Sequence, residues 1–131
     1  MRIAFFTTRM MLGYGVDLTI HEIARRLVAQ GHEVDVWTPT SDGTYENEAY
    51  RLREIIVYGE RVNRVLALLE RNARTALRAL KERLAGEGTQ YDVVVPCTHP
   101  YYSAGGILDC PSVFFNFGNV PTTGFSWKGK L

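Results

Sequence analysis

A few short stretches of this sequence hold the residue types from which a site could be built. The first is Gly13-Tyr14-Gly15-Val16-Asp17-Leu18. Glycines ahead of a helix let a ligand come close to the backbone, and the free N–H groups of a helix N-terminus receive an anion or hydroxyls. The run opens like a dinucleotide-binding fingerprint, but Leu18 stands where the third glycine belongs. Trp37-Thr38-Pro39 also offers no acidic residue for a ribose. A nicotinamide cofactor is not expected, and a plain turn is the alternative use of these glycines. The second stretch is Cys97-Thr98-His99-Pro100-Tyr101-Tyr102, where polar and aromatic groups gather. His99 is the titratable group best suited to proton transfer, whereas Cys97 reads as a bystander thiol. The third, Asn116 to Pro121, is a polar, glycine-containing stretch behind an apolar run. On the helix that follows the glycines, His21 lies four residues beyond Asp17, a spacing at which the two can pair. His32 falls between a helix and a strand and reads as structural. Paired carboxylates, a serine nucleophile elbow, a phosphate-binding lysine motif and metal-ligand spacings are all missing from these loops. The loops are those of a binding site and lack a complete catalytic set; no metal is expected.

The elements that must position these loops follow from hydrophobic periodicity. Ile3–Phe6 is wholly apolar, as in a strand buried on both faces. Val16, Ile20, Ile23, Ala24, Leu27 and Val28 mark one face of a helix, with Asp17 near its positive end and Gly31 at its close. Val34, Val36 and Trp37 make a second strand stopped by Pro39, completing a β-α-β unit. Thr38–Tyr50 reads as an irregular loop and Ile55–Tyr58 as a third strand. A long helix is predicted from Glu60 to Ala85, ended by Gly86 and Gly88. Asp92–Val95 is a fourth strand that stops at Pro96, Tyr101–Leu108 a short helix, and Val113–Phe115 a fifth strand. The alternation predicts an α/β fold: an open, parallel, Rossmann-like sheet with helices on both faces. In such a sheet ligands bind beyond the C-terminal ends of the strands, where Thr7–Val16, Pro96–Tyr102 and Asn116–Pro121 would meet.

At 131 residues the chain is one domain, and its 46% hydrophobic and 22% charged content excludes disorder and a disulfide scaffold. Cys97 and Cys110 read as reduced thiols, and no stretch resembles a signal peptide or a membrane span, so a cytoplasmic protein is expected. The net charge of +1 gives no reason to expect nucleic acid. It conceals one basic element. From Arg61 to Arg83 the long helix carries seven basic against two acidic residues, and Arg64, Arg71, Arg74 and Arg78 lie off its apolar stripe. Such a face suits an anionic membrane surface, which would make the protein peripheral at the inner face; a solvated helix is the plainer use.

Several of these segments together resemble the opening of a GT-B-fold glycosyltransferase of the large retaining group called family 4 or group 1. They are Met1-Arg2-Ile3-Ala4-Phe5-Phe6, the Gly13-Tyr14-Gly15 loop, His21-Glu22-Ile23-Ala24-Arg25-Arg26-Leu27 and Gly31-His32-Glu33-Val34. Tyr91-Asp92-Val93-Val94 and Pro111-Ser112-Val113-Phe114-Phe115 resemble that family's later strand entries. The resemblance implies transfer of a sugar from a nucleotide-sugar donor to a sugar, lipid-linked or small-molecule acceptor. It further implies that residues 1–131 are a single acceptor-side domain, truncated and inactive without a C-terminal donor-binding domain. By the same analogy Gly13 and Gly15 lie beside donor phosphates and acceptor, and Thr98 and His99 at the acceptor side, with Asn116 at the end of the fifth strand. The family often has His-x-His where this chain has Val95 and Cys97, and a histidine where Asn116 stands; His99 is the nearest substitute. The apolar strand from Val113 to Phe117 would invite pairing with a second copy. A non-enzymatic Rossmann-like binding module and a membrane-surface adaptor are the competing classes.

Overall fold

The computed structural model describes residues 1–39, 41–57, 60–61, 70–98 and 101–115. In chain order the elements are β1 (Arg2–Phe6), α1 (Gly15–Ala29), β2 (Glu33–Thr38), β3 (Arg51–Glu54), the two-residue strands β4 (Ile56–Val57) and β5 (Glu60–Arg61), α2 (Glu70–Glu87), β6 (Val93–Pro96), a 3-10 turn at Tyr101–Ser103 and α3 (Ala104–Leu108). Four strands form one parallel sheet in the order β3-β2-β1-β6, while β4 and β5 make a separate antiparallel ribbon. In the main sheet Phe5 is in register with Val36 on one side and Val95 on the other.

Alternation along β1 deals its side chains to two layers. Ile3 and Phe5 face α1 with Ile20, Ala24, Val34 and Val36, whereas Ala4 and Phe6 face α2 and α3 with Trp37, Leu77, Leu80 and Ala104. The expected Rossmann-like layering, with helices on both faces, is what the chain adopts. Among the described residues no helix is long and apolar enough to cross a membrane.

Three expectations need correction. The third strand of the sheet is Arg51–Glu54, not Ile55–Tyr58; Ile56–Val57 instead enters the small ribbon with Glu60–Arg61. Arg51 and Arg53 mask the strand in the sequence because their charge is absorbed by buried partners: Arg51 makes two hydrogen bonds to Asp35, at 2.6 and 2.9 Å, and Arg53 lies over Trp37. Glu60 and Arg61 are therefore strand, not helix; the predicted long helix is seen from Glu70, and positions 62–69 lie outside the described residues. Val113–Phe115 is not a strand. Ser112 makes one parallel bridge to Val94, after which the chain turns away, with Phe115 stacked on Phe5 and Phe114 against Tyr102. The strand pairing between copies expected from this run loses its basis at 113–115, and Phe117 lies outside the described residues.

A polar network sits inside the α2 face. The Tyr91 hydroxyl donates a short hydrogen bond to buried Asp35 and accepts one from Trp37 Nε1 at 3.0 Å. Burial and the Asp35 bond push the tyrosine hydroxyl well above its usual pKa. Arg53 and Arg83 both lie over the Trp37 ring, and both reach Glu87. No buried side-chain polar atom of the network lacks a partner, as a low-dielectric interior demands.

Two substitutions test this packing. Tyr91→Phe strands the indole N–H of Trp37 and removes a donor from Asp35, and should cost about 1–3 kcal/mol in urea unfolding. Gly105→Ala should destabilise by a similar ~1–3 kcal/mol through overpacking. An added Cβ there would meet the Ser112 hydroxyl at 1.6 Å and the Cys110 carbonyl oxygen at 2.9 Å.

Candidate functional site

Strand order reverses at β1: β2 continues the sheet to one side and β6 to the other, so the loop leaving β1 leads to α1 on one face and that leaving β6 to α3 on the other, the place where such sheets bind ligands. The ends of these two strands are bonded to each other. The Cys97 N–H donates to the Phe6 carbonyl at 2.9 Å, and the Thr8 N–H donates to Thr98 Oγ1 at 3.0 Å. The next residue, Arg9, begins the loop that leads to α1.

That loop is closed by Asp17. The carboxylate is 1% exposed and accepts hydrogen bonds from the Met11 N–H at 2.9 Å and from Arg9 Nε at 3.1 Å. Burial raises its pKa, against the lowering effect of the Met11 bond and the Arg9 charge. The Arg9 guanidinium carbon also lies over the Tyr14 ring, 3.7 Å from its centre. Gly13 has a positive φ of 93°, which lets the chain turn sharply into α1, and no heavy atom lies within 4 Å of a Cβ built on Gly15. The loop is anchored to its surroundings by two further contacts: Met10 bridges to Ser41, and the Leu12 N–H donates to Asp42 at 3.0 Å. The Leu12 bond and those from Thr44 hold the Asp42 carboxyl below the usual range.

Of the residues singled out from sequence, Gly13, Tyr14, Gly15 and Asp17 come together in one cluster with Arg9. Thr98 is tied to it through Thr8. His99 and Asn116 lie outside the described residues. Asp17 is not paired with His21, as the spacing suggested; it turns back into the loop because its two donors lie there. His21 instead has Nδ1 2.9 Å from the Tyr50 hydroxyl and its ring 4.9 Å from that of Tyr45, with Glu22 and Glu48 each 3.9 Å away. Burial pushes both tyrosine hydroxyls upward. Cys97 is buried, its thiol donates to the Val95 carbonyl, and its pKa is pushed up to about 12, so it is no nucleophile. Among the described residues no group of three or more His, Cys, Asp or Glu side chains could hold a metal ion.

Thr8 and Arg9 belong to this cluster by their contacts with Thr98 and Asp17, although the sequence reasoning did not single them out. The available signal was an arginine three residues past the first strand, eight residues before an acidic residue in the first turn of a helix. On the basic helix, Arg74 and Arg78 are exposed, Arg64 lies outside the described residues, and the side chain of Arg71 is likewise not described. Lys81 and Arg83 are already engaged, with Asp109 at 2.7 Å and Glu87 at 3.0 Å.

Comparison with known proteins places this geometry. No curated protein sequence matches the chain. Among solved structures it is similar to WaaG, described as a glycosyltransferase involved in lipopolysaccharide biosynthesis, with a TM-score of 0.55 and 21% identity. That match covers 73% of this chain and 23% of WaaG. A ugt transferase from Siraitia grosvenorii solved with UDP matches with a TM-score of 0.58 and 12% identity, over 88% of this chain and 27% of that one. The C-terminal domain of PF1911 hydrogenase from Pyrococcus furiosus also matches, with a TM-score of 0.53 and 15% identity over 88% and 90% of the two chains. At these identities the likeness is one of fold, and it extends to a domain of different chemistry. The chain spans about a quarter of the length of WaaG and of the plant enzyme. The sequence profile described as Glycosyltransferase Family 4 matches residues 14–130, nearly the whole chain. This chain therefore belongs to glycosyltransferase family 4.

Proposed function

We propose that this chain is the acceptor-side domain of an enzyme that moves a sugar from a nucleotide-sugar donor to an acceptor. The observation that carries the reading is the family match over residues 14–130, which begins at Tyr14 and takes in Asp17 and the β6 end at Thr98. Loops that meet above a parallel sheet at its switch in strand order are where such folds bind small molecules. The described residues offer positioning groups and no complete acid–base pair. The transfer step accordingly calls on groups from a second, donor-binding domain, and the chain by itself binds without catalysing.

Ligand-observed NMR on the chain with a panel of sugars and with UDP-glucose checks this division. Sugars should give transfer signals and UDP-glucose weaker ones, with no product formed. Tight UDP-glucose binding with sugars ignored would reverse the assignment, and a chain blind to every carbohydrate would remove it.

A peripheral place at an anionic membrane is supported by the exposed Arg74 and Arg78 on α2. Each well-placed basic residue near such a surface contributes about 1 kcal/mol. Sedimentation with vesicles of 30% phosphatidylserine should exceed that with pure phosphatidylcholine, and Arg74→Glu/Arg78→Glu should abolish the difference.

A further inference from the structure

We infer that Arg9 grips an anionic group, a phosphate or a carboxylate, carried by the acceptor; this rests on the acceptor-side reading above. The arginine is held in a way that leaves its binding edge unused. Its Nε–H is spent on Asp17, and one face of the guanidinium is covered by Tyr14. Its two terminal nitrogens make no hydrogen bond to any described residue, and the side chain is 29% exposed. An arginine serving only to neutralise a buried carboxylate would present its fork to both carboxylate oxygens, as Arg51 does to Asp35. Arg9 meets a single oxygen, Oδ2, through Nε, and the same oxygen takes the Met11 N–H.

The parallel N–H bonds of a guanidinium fork match the two oxygens of a phosphate or carboxylate. A side chain already immobilised by an ion pair and a ring loses little further freedom on binding. Placement supports a ligand-facing role. Thr8, the preceding residue, is bonded to Thr98, so Arg9 stands at the junction of the β1 and β6 loops rather than on an outer face. Asp17, which touches no ligand in this arrangement, is a positioning residue: it sets the plane of the guanidinium and ties Met11 into the same loop. Leu12 and Tyr14, which bracket the turn, are both exposed.

The test is isothermal titration of the chain with glucose, glucuronate, glucose 6-phosphate, inorganic phosphate and UDP. The anionic sugars should bind about tenfold or more tighter than glucose, the range for a charge-assisted pair, and lose that margin at high salt. Arg9→Ala should erase the margin. Arg9→Gln, which retains an N–H for Asp17 but no charged fork, should do the same if the alanine variant fails to fold. Asp17→Asn should narrow the ratio between the affinities for the anionic sugars and for glucose, whatever it does to glucose binding itself, whereas general loosening of the loop would lower both together. Equal affinity for glucose and its anionic counterparts, or an unchanged margin in either Arg9 variant, overturns the inference and leaves the acceptor-side reading standing. Inorganic phosphate bound as tightly as glucose 6-phosphate, or UDP bound while anionic sugars are refused, also overturns it. Failure to bind any sugar removes the acceptor-side reading itself.

Discussion

Everything in this fold is hung on the burial of β1. A strand with neighbours on both sides and helices over both faces has no polar freedom, and Ile3, Ala4, Phe5 and Phe6 accordingly carry no polar side chain. Because successive residues point to opposite layers, this one run nucleates two cores at once, one beneath α1 and one beneath α2 and α3. The same constraint decides where polar chemistry can begin. It begins at Thr7, the first residue past the strand, whose N–H still donates to Trp37, and it continues through Thr8 and Arg9 into the loop that Asp17 closes.

Elements whose residues are sorted by burial alone were legible in the sequence. Ile3–Phe6, the α1 stripe and Val93–Val95 announce themselves by apolar pattern, and the structure sets them where the pattern requires. β3 was not legible, since Arg-Leu-Arg-Glu reads as a solvated segment until Asp35 and Trp37 are known to wait beneath it. Nor was the failure of Val113–Phe115 to join the sheet. Its β-branched and aromatic composition suits a strand, but Phe115 finds its partner ring on Phe5 instead, a tertiary contact that outweighs local preference.

The candidate site divides along the same line. Gly13, Tyr14, Gly15 and Asp17 could be singled out because glycine and acidic residues at a helix start have a local meaning. Arg9 could not, because its role arises from contact with two residues further along the chain, Tyr14 and Asp17. His21 shows the opposite error. A spacing of four made Asp17 its natural partner, yet the loop between β2 and β3 folds Tyr45 and Tyr50 against the imidazole while Asp17 is drawn away. Helical spacing states which residues can meet and is silent on what arrives from elsewhere.

The two borders of the sheet are unequal, and that inequality gives the domain a direction of growth. On the β3 border, Arg51, Arg53 and Glu54 alternate with a single leucine, a charged fringe that discourages a further strand. On the β6 border, one bridge to Ser112 is followed by exposed Val113 and Phe114, which guard nothing by charge. Charge therefore closes the β3 border to a further strand and leaves the β6 border open, so the two sides of β1 differ in what they can accept.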